Sequence, residues 1–373
     1  MARNMNRGAV AELAGVSPIT VSRVFSNSSL VTGKTRRRVL EAGKACGYTP
    51  NAAARAIRTR RFNRVAFVVT TFEPRGHVSM PNVLSYLTAA ADALAERGYS
   101  VIYEHFHLEE GTRRLIEPPR LFMELAADGV IGMSGGFVPT DVDATLANLG
   151  APVVWVNRNA DEGVPAVVAD EFDAARRLTR HLIELGHRRI GYVSYSDLRH
   201  YSAMQRLEGV RAELQAAGLS TEGLIRCKDR FSRLQTIEQL LAASPRVTAL
   251  VCYNGLIYRS ALQLAAEQGI RVPTDLSLAV FASEWELDMN MFPVTAVIVP
   301  EGKMSIVAVQ ALLPMIEQQR SADESVAVAE TNAAPATASD VRPGCRAPLM
   351  AGVIPPVMAE LRLGRTTAPP PAR

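Results

Sequence analysis

From Arg64 onward, short runs of β-branched and apolar residues alternate with stretches of helical period, and this alternation limits the fold more than any other feature of the chain. Val65 to Thr70, Ser100 to Glu104, Val130 to Met133, Val153 to Val156, Ala166 to Val168, Arg189 to Val193, Ala249 to Cys252 and Ser277 to Phe281 read as strands. Val83 to Arg97, Pro119 to Ala127, Phe172 to Leu185, Met204 to Ala217 and Tyr258 to Gln268 read as amphipathic helices. A strand that returns beside its predecessor through a helix lies parallel to it, so the pattern predicts an α/β architecture with parallel sheets. With 373 residues, 48% of them hydrophobic, the chain can fill a sizeable core in one or two such domains.

The block before Arg64 differs in kind. Met1 to Arg61 holds twelve basic residues against Glu12 and Glu41, a net +10, whereas the rest of the chain holds 29 basic and 35 acidic residues. Lys and Arg neutralise phosphates and release counterions, so this asymmetry assigns the small module to a polyanion and the larger body to another task. Asn6 is placed to cap a first helix with Val10, Ala11 and Ala14 inward, and Gly15-Val16 ends it. Ser17 caps a second, in which Pro18 takes the first position, where its missing N–H is harmless. Val21 and Val24 share the inner face of that helix, leaving Ile19, Thr20, Ser22 and Arg23 outward. Thr32 caps a third, with Val39, Ala42, Gly43 and Cys46 on one side. Three short helices with a tight glycine turn make a helix-turn-helix. The small Gly43 and Cys46 predict a thin core for it.

Asn51 to Arg58 is helix-prone but short, and is expected to fold only when held by a partner. Gln319 to Val353 is rich in Ala, Pro, Thr, Ser, Asp and Glu without a period, which predicts a disordered insert. Glu360 to Leu363 reads as a last strand, and Thr366 to Arg373 as a Pro-rich tail.

Several function classes lose support. No apolar signal core follows Met1, and no uncharged apolar stretch is long enough to span a bilayer, so a cytoplasmic location is expected. Cys46, Cys227, Cys252 and Cys345 are far apart, arguing against a zinc site or a disulfide framework. Gly129-x-x-Gly132-x-x-Gly135-Gly136 follows a strand but has the wrong spacing for a dinucleotide loop, and reads as a flexible strand end. His187 sits where a helix hands over to a strand and reads as structural. No convergent catalytic set is found; no enzyme activity, metal or cofactor is expected.

Ala14-Gly-Val-Ser17, Thr20-Val-Ser-Arg-Val24, Thr35-Arg-Arg-Arg-Val39 and Gly47-Tyr-Thr-Pro-Asn51 resemble the N-terminal motifs of the LacI-type family of bacterial transcriptional regulators. The resemblance continues through Ala127-Asp-Gly-Val130, Pro152-Val-Val154, Glu184-Leu-Gly-His-Arg-Arg-Ile190, Arg206-Leu-Glu-Gly209 and Val272-Pro-Thr-Asp275. It implies an N-terminal three-helix helix-turn-helix DNA-binding domain over residues 1–50 and a hinge helix over 51–61. An α/β periplasmic-binding-protein-like ligand domain of two parallel-sheet subdomains, which binds effector and dimerises, would span 62–318. The insert would occupy 319–352, and the last strand and tail 353–373.

The resemblance also implies a homodimer on a near-palindromic operator, with a small-molecule effector in the cleft between subdomains. Residues early in a recognition helix reach base edges. On that basis Pro18, Ile19 and Arg23 are expected to read bases, and Ser17, Thr20, Ser22 and Ser26 to set the helix on phosphates. Asn51, Arg55 and Ile57 are the expected hinge contacts, Ile57 standing where the family usually has a Leu wedge. The expected effector contacts are Thr71, Asn82, Asn157, Arg158, Arg206, Asn254, Ser283 and Glu284.

Three family aspartates are replaced, by Asn157, by Gly255 after Asn254, and in Val280-Phe-Ala-Ser283. With Arg158 and Arg206 retained, two readings stay open: an electropositive cleft with an anionic effector such as a sugar acid or sugar phosphate, or variation within the family at side chains that point away from the ligand, which leaves a plain sugar as effector. Glu284 and Asp170 are expected to return some negative charge, and Trp285 to be either a stacking face or core. Release of a repressor by a metabolite and corepressor-dependent DNA binding both remain open, and a small-molecule-binding protein without DNA binding is the remoter alternative.

Overall fold

The computed structural model describes residues 6–25, 30–48, 61–73, 80–109, 114–116, 127–134, 138, 140–158, 164–195, 200–227, 232–288, 293–332 and 354–371. The chain divides into two compact units, Met1–Phe62 and Asn63–Arg373. The segment 51–60, expected as hinge, and most of the helix expected over 119–127 lie outside the described residues.

In the first unit, α1 (Arg7–Ala14), α2 (Pro18–Phe25) and α3 (Gly33–Ala45) form as their caps dictate. The Asn6 side chain accepts from the Ala9 amide at 3.1 Å, and Thr32 Oγ1 from the Thr35 amide at 3.4 Å. Gly15 closes α1 with a φ of 59°, a left-handed conformation in which a side chain would be strained. The core is Val10, Ala11, Ala14, Val21, Val24, Val39 and Ala42. It is not thinned by Gly43. A Cβ there would stand 2.9 Å from Cζ of Phe25, so the glycine is the seat of that ring, which in turn meets Tyr48 edge-on at 5.4 Å.

The second unit holds two sheets. The first comprises β1 (Arg64–Glu73), β2 (Ser100–Glu109), β3 (Gly129–Ser134), β4 (Val153–Val156) and β5 (Ala166–Val167), all parallel in the order β2-β1-β3-β4-β5, with α4 (Met80–Ala95) and α5 (Thr140–Asn148) between strands. The second comprises β6 (Ile190–Tyr195), β7 (Leu224–Cys227), β8 (Ala249–Cys252), β9 (Ser277–Ala282), β10 (Thr295–Ile298) and β11 (Glu360–Arg362), in the order β11-β10-β9-β8-β6-β7. Only β11 is antiparallel to its neighbour. Its helices are α6 (Glu171–Glu184), α7 (Tyr201–Ala216), α8 (Arg233–Ala242), α9 (Gly255–Glu267) and α10 (Glu284–Asp288). Strands β3, β8, β9 and β10 are buried along their whole length, as central strands of parallel sheets covered on both faces must be.

The chain crosses between the sheets after β5, after β10 and again before β11. The second crossing leads into α11 (Glu301–Asn332), which packs on α4, β3, β4 and β5 and brings Met304, Ala308, Val309, Leu312, Leu313 and Ile316 into the core of the first sheet. This corrects the expectation of 319–352 as unstructured throughout, since α11 carries the chain in helix to Asn332; residues 333–352 lie outside the described set. Gly129 and Gly132 are likewise not a flexible end. They lie inside β3, where added Cβ atoms would meet Ile316 at 2.8 Å and the Trp155 ring at 2.5 Å.

The Pro-rich tail is also no loose end. Leu278 N donates to Thr366 O at 2.7 Å, Thr295 N to Thr366 Oγ1 at 3.0 Å, and Ser277 exchanges two bonds with the Ala368 backbone. His187 completes the strap: Nε2 donates to Ala368 O at 2.8 Å, and Nδ1 pairs with Thr248 Oγ1 at 2.9 Å. Burial pushes this imidazole below its usual pKa range, the bond to Ala368 working against that shift.

Candidate nucleic-acid interface and ligand cleft

The exposed side of α2 is built by its own cap. Ser17 Oγ accepts from the Thr20 amide at 3.2 Å and shares a hydrogen bond with Thr20 Oγ1 at 2.9 Å, which places both hydroxyls at the open N-terminus of the helix. Pro18 and Ile19 come next, Ile19 being 64% exposed. Ser22 is half-buried and Arg23 exposed one turn further on, while Val21 and Val24 anchor the opposite side. Not all of the positive charge stands clear of the fold. Arg36 Nη1 donates to Val24 O at 3.4 Å and Arg38 Nη2 to Ala14 O, so these two guanidinia tie α3 to its neighbours. Ser26, Asn51, Arg55 and Ile57 lie outside the described residues.

In the second unit, strand order reverses between β1 and β3 in one sheet and between β6 and β8 in the other. Ligands of open parallel sheets bind beyond the carboxyl ends of the strands at such points. The two carboxyl edges meet across Asn157, which follows β4 with a φ of 59°. Its amide pairs with His200 Nε2 at 3.2 Å and accepts from Ser202 Oγ at 2.6 Å, while His200 Nδ1 lies 3.3 Å from the Tyr253 hydroxyl.

Arg206 is 6% exposed and forked onto Glu171, at 2.7 and 2.8 Å, with Nη1 donating to Tyr253 O at 2.7 Å. Its guanidinium also lies 4.9 Å from the Tyr253 ring centroid and 4.5 Å from that of Phe281. Burial works against its charge, but Glu171 more than offsets that and raises its pKa further. Arg158 is forked onto Asp143 at 2.6 and 2.7 Å and lies over Trp155.

Carboxyls enter from positions that the sequence does not single out. Ser283 and Glu286 cap α10 reciprocally: the Ser283 amide donates to Glu286 Oε2 and the Glu286 amide to Ser283 Oγ, each at 3.2 Å. Glu286 Oε1 occupies the space that a side chain on Gly255 would need, at the start of α9. Glu301, 5% exposed at the start of α11, accepts from Ser85 of α4 and leaves Oε2 without a hydrogen-bond partner. Burial, reinforced by Glu286 and Glu171 and opposed by Ser85 and Arg206, pushes its pKa up to about 8.

Comparison with known proteins fits both halves. A model of bacterial regulatory proteins of the lacI family matches residues 9–51, and one of a periplasmic binding protein-like domain matches 179–334. The HTH-type transcriptional regulator CelR of Thermobifida fusca is 33% identical over 304 residues, 79% of this chain and 87% of CelR. The chain belongs to the LacI family. Another LacI-family relative, the HTH-type transcriptional repressor PurR of Mannheimia succiniciproducens, is 26% identical over 328 residues, 86% of this chain and 94% of PurR. Among solved LacI-family structures, a complex of CelR with cellobiose is 25% identical, covers 97% of this chain and 99% of its own, and has a TM-score of 0.62. The lac repressor dimer bound to operator and the anti-inducer ONPF shares the fold at 20% identity and a TM-score of 0.74, over 96% and 98% of the two chains. Like these relatives, the chain is a helix-turn-helix transcriptional regulator, and no helix among its described residues is long and apolar enough to cross a membrane.

Measured against this LacI-family cleft, the expected effector residues divide. Thr71 is buried and bonded to His105 Nε2 at 2.5 Å, Asn254 caps α9 by accepting from Ile257 N at 3.0 Å, and Ser283 caps α10. Glu284 is exposed, with Arg362 of β11 at 3.5 Å, and Asp170 caps α6. Trp285 is 46% exposed and therefore not core. Asn82 lies in α4, its side chain outside the described set. Both arginines expected to make the cleft electropositive are engaged within the protein, Arg206 forked onto Glu171 and Arg158 onto Asp143. The Ser283-x-x-Glu286 capping pattern is visible in the sequence; nothing local marks Glu301.

Proposed function

We propose that this regulator is a repressor that binds a near-palindromic operator as a homodimer and is released by a small metabolite held between its two sheets. Arg23, Pro18 and Ile19 read base edges, and Ser17, Thr20, Ser22 and Ser26 position α2 on phosphates, with Asn51, Arg55 and Ile57 adding hinge contacts. The carrying observation is the outer side of α2: a 64%-exposed isoleucine and an exposed arginine beside a capped helix N-terminus in a +10 module. Arg23 supplies the fork that guanine accepts, and Ile19 an apolar contact for a thymine methyl. The cleft reading rests on the strand ends at the two reversal points and is supported by the sugar-bound state of the CelR relative. The reading includes no catalytic role and a cytoplasmic location.

The test is selection of a binding site from random duplexes with the full chain, and then titration at several salt concentrations. A two-fold site with a steep salt dependence is expected; a single unrepeated half-site would refute the dimer reading. Adding sugars to the complex then reports the sign of control, since an effector that tightens the complex would make this a corepressor system.

A further inference from the structure

We infer that the amino edge of the second sheet is a docking surface for an acidic segment of a partner protein, with Arg365, Arg271, Arg246, Arg189 and Arg188 as its contacts. The surface uses none of the residues assigned to operator or effector.

Topology sets these arginines in one row. Strands β10, β9, β8 and β6 are neighbours and parallel, so all of them begin at the same edge, opposite the carboxyl ends that line the cleft. Arg188 and Arg189 immediately precede β6, and Arg246 stands three residues before β8. Arg271 precedes β9 and is forked onto Asp275 at 2.7 and 2.9 Å. The Arg365 amide donates to Pro293 O at 2.8 Å, just before β10. With neighbouring strands about 4.8 Å apart, the row is roughly 14 Å long.

Three properties make it a receptor rather than a solvated face. Its guanidinia are oriented by backbone carbonyls: Arg188 Nη1 donates to Ile183 O and His187 O, each at 3.0 Å, Arg189 Nε to Arg246 O at 2.8 Å, and Arg246 Nη2 to Asp275 O at 3.5 Å. These bonds use one nitrogen of each group and leave its other donors to the outside, and a fork fixed before it meets a ligand lowers the entropy cost of binding. Acids, secondly, do not match the row. Asp275 is taken by Arg271, Glu184 stands beside Arg180 and His181, and Glu222 lies one strand further on, before β7. Among the described residues no carboxylate is paired with Arg188, Arg189, Arg246 or Arg365. The field of the row is visible on Asp275, whose carboxyl is held at a pKa of about 2, chiefly by Arg271 with Arg246 adding to it. Thirdly, the chain after Arg61 carries 29 basic and 35 acidic residues, so the arginines gather here against the overall charge of the body.

Carboxylates fit this row better than nucleic acid does. Acids on alternate residues of an extended peptide lie about 7 Å apart on one face, so about three of them span the row, each meeting a planar fork. A single strand of nucleic acid would need stacking rings among the cations, whereas the only aromatic side chain flanking these arginines in the chain is the buried His187.

The experiment is fluorescence anisotropy of a labelled oligoglutamate peptide titrated with the full chain, in excess duplex DNA that occupies the basic N-terminal module. The peptide is expected to bind, and to bind about tenfold more weakly when ionic strength rises from about 0.05 to about 0.3 M. Arg365→Glu and Arg188→Glu should each weaken it about fivefold or more. Arg97→Glu, an exposed position just after α4 against the first sheet, should leave the affinity unchanged. The Arg365 side chain makes no bond among the described residues, so its variant should melt with the parent and separate lost docking from lost structure. A peptide that fails to bind once duplex is in excess, or that binds both row variants as it binds the parent, overturns the inference. Inorganic phosphate that displaces the peptide at equal concentration would assign the edge to a small anion instead. A single-stranded oligonucleotide that binds in excess duplex and is lost in the same variants would assign it to nucleic acid. Self-association by light scattering that Arg365→Glu abolishes would make the occupant a second copy of this chain, and each of these three results also overturns the acidic-partner assignment.

Discussion

The buried pair between Glu171 and Arg206 offers the sharpest test of the second unit. Glu171→Gln leaves the guanidinium at its 6%-exposed site with the Tyr253 carbonyl still accepting from Nη1 and the rings of Tyr253 and Phe281 on its faces. Removing one partner of such a pair costs about 3–5 kcal/mol, because the other charge stays desolvated. At this chain length about 2 °C per kcal/mol is expected, so the melting temperature should fall by roughly 6–10 °C. Arg206→Ala should cost a similar amount by stranding Glu171, and it cannot serve as a clean probe of ligand binding. Replacing both, as Glu171→Leu with Arg206→Met, removes the charge problem and leaves the Tyr253 carbonyl short of a donor, a cost of about 1–3 kcal/mol. The double variant should therefore be more stable than either single one. Glu208→Gln, which breaks the surface pair with Arg211 on the same helix, should cost about 0–1 kcal/mol and serves as the control. Calorimetry or urea unfolding of the four variants measures these differences. A loss below about 1 kcal/mol for Glu171→Gln, or a double variant less stable than both singles, would refute the argument.

Arg23→Ala should reduce the preference for operator over random DNA by about 1–3 kcal/mol while leaving salt-dependent binding, and a competition assay with an unchanged ratio would contradict the assignment. Truncation after Gly364 removes the strap from Ser277, Thr295 and His187 and should lower the melting temperature by several degrees, whereas a free tail would be dispensable. Because burial lowers the pKa of His187, its contribution is complete above the ordinary histidine range near pH 6.5 and is lost as pH falls below it, which pH-dependent melting of the parent and of His187→Gln would reveal. Replacing 333–352 by a short Gly/Ser linker should leave the melting temperature within a few degrees, while Leu312→Ala or Ile316→Ala in α11 should cost about 2–5 kcal/mol each, measured by urea unfolding.

The three N-terminal helices and most strands are legible in the sequence because their signals are local: Asn6, Ser17 and Thr32 each cap the helix that starts at the next residue, and runs such as Ala249–Cys252 have no alternative within four residues. Helix α11 carries a clear period through Met304, Ala308, Leu312 and Ile316, but Pro314 and the Ala- and Glu-rich continuation disguise it. The strap is hidden for another reason, since Thr and Pro in a terminal segment look like a solvated tail until Ser277, Thr295 and His187 supply its partners. In the cleft, residue types are readable and pairings are not. Arg206 finds Glu171 at a separation of 35 residues and Arg158 finds Asp143 at 15, and no pattern in the chain announces either pair.

The exchange of space between Gly255 and Glu286 also constrains how this cleft can change over time. Gly255→Asp, the substitution toward the residue usual in the family, would drive its first carbon into the Glu286 carboxyl and set two acids in one place. Shortening residue 286 first, as Glu286→Ser, vacates the site and makes the same change at 255 admissible. The order of two mutations therefore decides whether the Glu286 carboxyl keeps its bond to the Ser283 amide or has to swing away, and a designer who grafts a relative's ligand preference onto this chain one position at a time will meet that exchange at the first step.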